Sequence, residues 1–449
     1  MIDKALKRIF LPFLTILLLI PGTAFAQEGL DSGDTAWMLT ATVLVLLMTI
    51  PGLFLFYGGL VRAKNALSTI MHSFMIVALV SVQWVLIGYT LAFGPDVSGI
   101  IGNLDWLGLS GVGPEPSGYA ETIPHYVFMA FQMTFAVITV ALITGAFAER
   151  IKFSTFIVFV LIWTTIIYDP LAHWVWGGGW IGSMGALDFA GGTVVHISSG
   201  ASALAAALIF GKRIGYGRES MPPHFLPFSI IGAALLWVGW FGFNAGSSLA
   251  ADGIASIAFV TTNTAAAAAV LGWVFTEWIS RGKPTVLGAA TGAVTGLVAI
   301  TPAAGFVSPL SALFIGLVAG IICYAAVNMK TRLGYDDSLD VVGVHGVGGT
   351  WGCLATGLFA STAVNPGGAN GLFFGNPEQL VIQFISVAAT WVFAFGGTLV
   401  ILYVLKAIMG LRVSAEEEVT GLDLSEHGEV AYAGFQVIHG YGATEDRDQ

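Results

Sequence analysis

Long apolar stretches alternate with short polar or Gly/Pro-rich segments along almost the whole chain. They recur about every 35 residues, and none shows the strict alternation of a barrel strand. Each is long enough for a tilted helix that crosses a bilayer, which needs about 20 residues. The pattern predicts eleven membrane-spanning helices, over residues 35–57, 67–93, 123–147, 154–172, 191–211, 226–248, 254–278, 285–304, 308–329, 342–362 and 379–408.

Composition supports a membrane location. Of the 449 residues, 56% are hydrophobic and 10% are charged, and the mean hydropathy is +0.83. A soluble domain carries roughly 25% charged residues. The net charge of −10, without a basic block, argues against nucleic acid as a partner. Cys323 and Cys353 lie in apolar runs without the spacing of metal ligands, so neither a metal nor a cofactor is predicted.

The first 26 residues resemble a secretory signal peptide. A basic start from Lys4 to Arg8 precedes a short apolar run, and Ala24 and Ala26 offer a small-x-small cleavage site. The apolar run is shorter than the roughly 20 residues that cross a bilayer, and an uncleaved first span is the alternative interpretation. The predicted organisation is a signal peptide at 1–26, an eleven-helix domain at 27–408 and a cytoplasmic tail at 409–449.

The positions of Lys and Arg test the helix count independently. A start outside the cell followed by eleven spans places all fourteen Lys and Arg residues after residue 26 on the cytoplasmic side. The positive-inside rule predicts this asymmetry, whereas a missed or extra span would scatter the later charges to the wrong side. We therefore predict an N-terminus outside and a C-terminus inside.

Ten of the eleven spans divide into two sets of five. Because five is odd, the two sets lie in opposite orientations, and inverted repeats usually place the substrate path between them near the midplane. The fifth and tenth spans should then correspond, and each carries a histidine among small residues, His196 and His345. The predicted fold is all-α, with two inverted five-helix repeats plus a final helix.

His196 and His345 are the deep titratable groups of the predicted bundle. No Lys, Arg, Asp or Glu lies in the middle of any span after residue 26, which argues against the buried carboxylate relay of a pump or symporter. A lone membrane histidine is more often a packing residue, but matching positions in two inverted halves favour a shared pathway. Neutral imidazoles donate and accept hydrogen bonds without placing a fixed charge in lipid.

Aromatic residues are denser in three places than interfacial belts require. Phe131 and Phe135 are four residues apart and face one side of the third span. An aromatic face attracts a desolvating cation by roughly 0.5–2 kcal/mol, although core packing accounts for most single aromatics. With hydroxyls such as Ser247, the aromatic residues favour a small, weakly held cation or a neutral polar molecule. The three clusters are Phe131 to Phe135, Tyr168 to Trp176 and Trp240 to Phe243.

A series of longer motifs resembles the ammonium transporter family, the Amt/Mep/Rh group, and its bacterial Amt branch in particular. The likeness runs from about Asp34 to Tyr432, and such a series in order is more specific than any single motif. The motifs are Pro51–Leu60, Gly145–Arg150, Asp188–His196, Gly239–Ser247, Asp340–Gly346 and Gly421–Glu429.

The resemblance implies a homotrimer with one pore per subunit, in the bacterial cytoplasmic (inner) membrane. Rh-type proteins lack the full outer aromatic set, so the Amt branch is favoured. Matched by position, the resemblance implies an outer ammonium site of Phe131, Trp176 and Ser247, a gate of Phe135 and Phe243, pore residues His196 and His345, and supporting residues Asp188, Gln132 and Trp240.

The implied function is net ammonium uptake, with methylammonium as an analogue of the substrate. Ammonium would be recruited at the outer site, deprotonated, and conducted as ammonia past the twin histidines. The alternatives are an ammonium sensor and an Rh-like gas channel, while no Ser/His, paired-carboxylate or metal spacing supports an enzyme. Residues 411–432 match the ordered tail of the family, which implies a PII-type signalling protein as a partner on the cytoplasmic face.

Overall fold

The computed structural model describes residues 29–432, which include all the stretches predicted as helices. The predicted signal peptide and the last part of the predicted tail, residues 433–449, lie outside the described residues. Within the described range the chain is mostly helical. A short antiparallel hairpin of β1 (Asp96–Val97) and β2 (Ile101–Gly102) lies between the second and third long helices.

Nine helices in the described range are long and apolar enough to cross a bilayer. Shorter helical segments occupy the two remaining predicted positions, Val286–Ile300 at one and Val342–Gly346 followed by Val347–Phe359 at the other. The prediction of an all-helical polytopic membrane protein is therefore confirmed, whereas the count of eleven spans, the orientation and the signal peptide stay predictions. The segments are α1 Ser32–Leu60, α2 Ala63–Phe93, α3 His125–Phe147, α4 Phe153–Ser183, α5 Gly192–Phe210, α6 Leu226–Gly246, α7 Gly253–Arg281, α8 Val286–Ile300, α9 Pro309–Leu333, α10 (Val342–Gly346 followed by Val347–Phe359) and α11 Pro377–Ile408.

Local sequence signals set several helix ends. The side chain of Asp252 accepts from the N–H of Ala255 at 2.7 Å and so caps the start of α7. Ser308 caps α9, and Pro309 follows in the first helical turn, where its missing N–H costs nothing. Helix α8 ends before the predicted residue 304 because Pro302 has no N–H to continue the hydrogen-bond ladder.

Small residues bring the two histidine-bearing helices together. A methyl group added at Gly200 of α5 would lie 2.2 Å from the backbone nitrogen of Gly346 of α10. Glycine at this crossing therefore allows the two backbones to touch, which is the usual means of close helix packing in membranes. His196 and His345 lie within a turn of this crossing, so their side chains meet.

Buried ion pairs join the segments between helices at one end of the bundle, which we call the Glu149 end. Glu149 pairs with Arg62 at 2.8 Å and with Arg213 at 3.2 Å, and Arg213 also pairs with Asp336 at 2.9 Å. Burial opposes ionisation of Glu149, but Arg213 and Arg62 outweigh it and hold its pKa below the usual range. Each of these four charges therefore has an opposite partner, which offsets the cost of removing it from water.

The chain after α11 folds back onto the Glu149 end. It forms two short helices, α12 (Ala415–Thr420) and α13 (Leu422–His427). The Asp423 carboxylate accepts from the backbone N–H groups of Leu67 at 3.1 Å and Ser68 at 2.8 Å. A tail carboxylate thus caps the α-helical part of α2, which begins at Ala66. A negative charge is stabilised there by N–H groups that have no partner within the helix. The tail is bound to the bundle through the start of a membrane helix.

Candidate functional site

His196 and His345 lie against each other inside the bundle. Their Nδ1 atoms are 3.2 Å apart, their ring centroids are 5.3 Å apart, and both side chains are buried. Each histidine occupies the opening turn of its helix, His196 in α5 and His345 in α10. The structure therefore brings together the two histidines whose matching positions the sequence singled out.

An aspartate caps the start of each histidine-bearing helix. Asp188 accepts from the N–H groups of Gly192 at 2.6 Å and Thr193 at 2.8 Å. Asp337 accepts from the N–H of Val342 at 2.8 Å. Each aspartate precedes its histidine by eight residues. The two halves of the site are thus built alike, as an inverted repeat would build them.

Hydrogen-bond partners assign the protons on the two neutral imidazoles. Thr301 donates its single hydroxyl proton to the Leu297 carbonyl at 2.7 Å and accepts the indole N–H of Trp240 at 3.0 Å. It must therefore accept in its 3.2 Å bond with Nε2 of His196. His196 then has a lone pair at Nδ1, which accepts the Nδ1–H of His345. This pattern leaves Nε2 of His345 as the proton acceptor of the pair.

Three cavities follow one another through the bundle, and the second and third share lining residues. The aromatic cavity measures about 300 Å³ and is lined by Gln132, Phe135, Trp176 and Ser247 among others. The histidine cavity, which is lined by His196 and His345 among others, measures about 10 Å³. This is room for roughly one water-sized molecule. The Asp340 cavity measures about 50 Å³ and shares His345 with the histidine cavity. The smallest of the three cavities is the one beside the histidines.

Two phenyl rings separate the aromatic cavity from the histidine cavity. Phe135 lines the aromatic cavity, and Phe243 lines the histidine cavity. Their rings are stacked with centroids 4.2 Å apart and an interplanar angle of 22°. Trp176 stands edge-on to Phe135 at 5.8 Å. The phenyl pair thus stands between the two cavities.

The aromatic cavity combines aromatic faces with an oxygen acceptor. The indole N–H of Trp176 donates to the Asp188 carbonyl at 2.9 Å, which fixes the ring in the cavity wall. The Ser247 hydroxyl donates to the Phe243 carbonyl at 2.8 Å, so its oxygen is left to accept from a bound molecule. None of the described residues that line this cavity or the histidine cavity is Asp, Glu, Lys or Arg.

The structure shows where three further residues named from the sequence lie. Phe131 is fully buried with its ring 5.0 Å from Phe135, and it does not line the aromatic cavity. Trp240, expected to support the outer site, lines the histidine cavity with its ring 5.5 Å from His196. Gln132, expected as support, lines the aromatic cavity itself.

Two residues reach the site without a role predicted from the sequence. Thr301 bonds both His196 and Trp240, and its one available signal was a hydroxyl beside Pro302 at the end of a span. Tyr57 lines both the histidine cavity and the Asp340 cavity, and it lies inside a motif that carried the family resemblance. Neither signal distinguishes a pore residue from a helix-end residue.

Comparison with known proteins decides the family. A profile of the Ammonium Transporter Family matches residues 36–432. The chain belongs to the ammonium transporter family. It is 56% identical over 404 residues to an ammonium transporter of Bacillus subtilis (strain 168), covering 90% of this chain and 99% of that protein. It is 51% identical over 403 residues to the ammonium transporter Amt1 of Archaeoglobus fulgidus, covering 90% and 100%.

Solved structures agree with this membership of the ammonium transporter family. Mep2 of Candida albicans superposes with a TM-score of 0.83 at 38% identity, covering 88% of this chain and 89% of that one. A sensor Amt protein superposes with a TM-score of 0.81 at 32% identity, covering 88% and 98%. The resemblance stated from the sequence is confirmed, as is the prediction of a transport family rather than an enzyme family. Membership implies ammonium as the substrate and a lipid bilayer as the location.

Proposed function

We propose that this protein takes up ammonium by binding it in the aromatic cavity, removing a proton, and conducting ammonia past the histidines. The carrying observation is the series of cavities, wide among aromatic faces and narrow beside two imidazoles, without a fixed charge at either place. A cation is attracted to aromatic faces but is penalised in an apolar constriction. A neutral molecule that forms hydrogen bonds suits the histidine cavity.

Each site residue named from the sequence has a role in this proposal. Trp176 and Phe135 offer ring faces to ammonium, and the Ser247 oxygen accepts one of its N–H groups. Phe131 supports the Phe135 ring from behind, and Phe135 with Phe243 forms the gate. Gln132 is a polar part of the cavity wall. The Asp188 carbonyl positions Trp176. The Trp240 indole positions Thr301, which in turn bonds His196.

Proton removal is the basis of the proposed selectivity. Ammonium and potassium are similar in size, so width alone does not separate them, but potassium has no proton to lose. One ammonium ion gives one ammonia molecule and one proton. Ammonia then forms hydrogen bonds with the histidine pair, whose acceptor is Nε2 of His345. The proton crosses separately along the imidazoles, so the net event is ammonium uptake and carries charge.

We propose the orientation that the charges predict, with eleven spans and the Glu149 end in the cytoplasm. The thirteen Lys and Arg among residues 29–432 lie in the segments that join helices at that end or in the adjacent helix turns. This is the distribution of the positive-inside rule. The aromatic cavity is also lined by Tyr119, Phe128 and Leu249, which lie at or beyond the ends of α3 and α6 that are away from Glu149, so in this orientation it opens toward the outside. The proposal includes a signal peptide at 1–26, a transport domain at 27–408, a tail at 409–449 and a homotrimer in the bacterial inner membrane.

Cells without ammonium transporters are expected to gain saturable uptake of radiolabelled methylammonium when they express the native chain. Ammonium should compete for this uptake, while potassium at the same concentration should not, because potassium has no proton to give up. Cells with an empty vector provide the background. Uptake without any accompanying current under an ammonium gradient would contradict the separate movement of a proton.

The likeness to a sensor Amt protein supports a second candidate, an ammonium sensor. A sensor would bind methylammonium without carrying it across the membrane. Binding by a folded, membrane-inserted chain in the absence of uptake would therefore replace the transport proposal with the sensor. An Rh-like gas channel remains disfavoured by Trp176 and Ser247 in the wall of the aromatic cavity.

We further propose that a PII-type signalling protein binds the Glu149 end. The Lys64 ammonium donates to the carbonyls of Glu418 at 2.9 Å and Val419 at 2.5 Å, and the Ile214 N–H donates to the Glu418 carboxylate at 2.7 Å. The tail and the inter-helix segments thus form one surface. The Asp340 side chain is 31% exposed, so the Asp340 cavity reaches this surface, where a partner could cover it.

Membranes that contain the native chain are expected to retain a PII-type protein from the cytosol of nitrogen-replete cells. Retention should depend on ADP and 2-oxoglutarate, and mass spectrometry of the solubilised complex identifies the partner. Membranes from cells that lack the chain are the control. The partner proposal fails if no PII-type protein is retained at any level of the two metabolites.

A further inference from the structure

One buried side chain of α11 bonds both histidine-bearing parts of the bundle. Gln383 accepts the N–H of Leu187 at 2.7 Å through Oε1 and donates to the Leu187 carbonyl at 2.7 Å through Nε2. The same Nε2 donates to the Cys353 carbonyl of α10 at 3.1 Å. Gln383 is 1% exposed. Its amide therefore pairs three backbone groups from two separate parts of the chain, of which the Cys353 carbonyl is buried.

The first of these parts leads directly into the aromatic cavity. Leu187 precedes Asp188, whose carbonyl holds the Trp176 indole at 2.9 Å. The Asp188 side chain caps the helix that carries His196. A shift of the Leu187 backbone would therefore displace the wall of the aromatic cavity and loosen the cap of α5 together.

The second part belongs to the helix that carries His345. Cys353 lies two turns after His345 in α10, and its carbonyl accepts from Gln383. A neighbouring glutamine strengthens the same attachment, because Gln379 donates to the Gly185 carbonyl at 3.0 Å. Helix α11 lies outside the proposed pair of five-helix repeats, so it can hold the two repeats in register without belonging to either.

We propose that Gln383 is a positioning residue that sets the aromatic cavity of the proposed transport path through Leu187 and Asp188. The side chain suits this task because an amide offers one acceptor and two N–H donors in a plane. Leucine fills a similar volume but would leave the buried Cys353 carbonyl and the part-buried N–H and carbonyl of Leu187 without this partner, which is costly in a low-dielectric interior. Ionised glutamate would keep the acceptor and lose both donors.

This inference rests on the proposed function, so the kinetics of methylammonium uptake test it. These kinetics distinguish a positioning role of Gln383 from an effect on folding. Gln383→Leu is expected to raise the half-saturation concentration roughly tenfold, because the Trp176 face and the Ser247 oxygen no longer converge. The maximal rate per folded chain should change by less than about twofold. Gln383→Glu should fall between the native chain and Gln383→Leu. The matched control is Thr390→Val, which removes a buried hydroxyl of the same helix whose one hydrogen bond within residues 29–432 is to the Ser386 carbonyl.

Hydrogen exchange, read by mass spectrometry on the full chain in detergent, provides a measurement that needs no transport. Gln383→Leu is expected to speed exchange at Leu187 and at Gly191 to Thr193, whereas Thr390→Val should leave these amides unchanged. Faster exchange with a higher half-saturation concentration supports the proposal. Unchanged exchange, or faster exchange with native kinetics, overturns it. If the native chain shows no uptake, the proposed function fails, and equilibrium binding of methylammonium replaces the kinetic measurement.

Discussion

Replacement of His196 with leucine is expected to lower the initial rate of methylammonium uptake by roughly 10- to 100-fold. The histidine cavity holds about one small molecule and is otherwise lined mainly by apolar side chains. The substitution removes the acceptor of the His345 Nδ1–H and so no longer holds the ring whose Nε2 accepts from the crossing amine. A neutral amine that crosses without this hydrogen bond loses roughly 1–3 kcal/mol. The rate should be measured per chain present in the membrane.

His72→Leu is the matched control for this experiment. His72 is a buried histidine of α2 whose ring lies 4.3 Å from that of Phe156, and it lines none of the three cavities. Near-native uptake is expected from this variant. An equal loss in both variants would mean that the His196 substitution acts through folding, and native uptake from His196→Leu would place the path elsewhere.

The helices and the histidine pair could be predicted because strong physical constraints act on them. In lipid every backbone N–H and C=O must be paired within the chain, so an apolar stretch of sufficient length forms a helix. Lys and Arg favour the cytoplasmic side, and their positions therefore give an independent check on the number and order of the predicted helices. His196 and His345 stand out because a polar group is costly in such a helix unless it has a role or a partner.

Which of the aromatic side chains line a cavity could not be predicted from the residues, since this depends on contacts between distant segments. Phe131 and Phe135 share a helix face, and the sequence does not distinguish them. The structure does so through Gly246, where an added methyl would lie 3.0 Å from the Phe131 ring. Phe131 fills the space beside this glycine, which leaves Phe135 to line the aromatic cavity.

Hydrogen-bond partners far apart in sequence could not be predicted either. Thr301 lies 105 residues from His196, and Gln383 lies 196 residues from Leu187. No periodicity relates positions at such separations. A buried glutamine or threonine in an apolar stretch indicates that some polar group is its partner, but only the packed structure identifies that group.

Replacement of Trp176 with leucine is expected to raise the half-saturation concentration for methylammonium roughly 2- to 30-fold. This range corresponds to the loss of one aromatic face, roughly 0.5–2 kcal/mol. The Asp188 carbonyl also loses its indole donor, which should place the effect in the upper part of the range. Phe135 and Ser247 remain in the cavity wall, so uptake should still saturate. The measurement is initial uptake over a range of concentrations, with ammonium as competitor.

Trp174→Leu provides the comparison that assigns this effect to the cavity. Trp174 lies two residues away, its ring is 4.5 Å from that of Phe393, and it lines none of the three cavities. Its indole N–H donates to the Ile100 carbonyl at 2.8 Å, so it too fixes a neighbouring segment. Because both variants lose an indole and one hydrogen bond, a rise confined to Trp176→Leu isolates the attraction between the cation and the ring. Equal half-saturation concentrations in the two variants would mean that ammonium is bound without this ring.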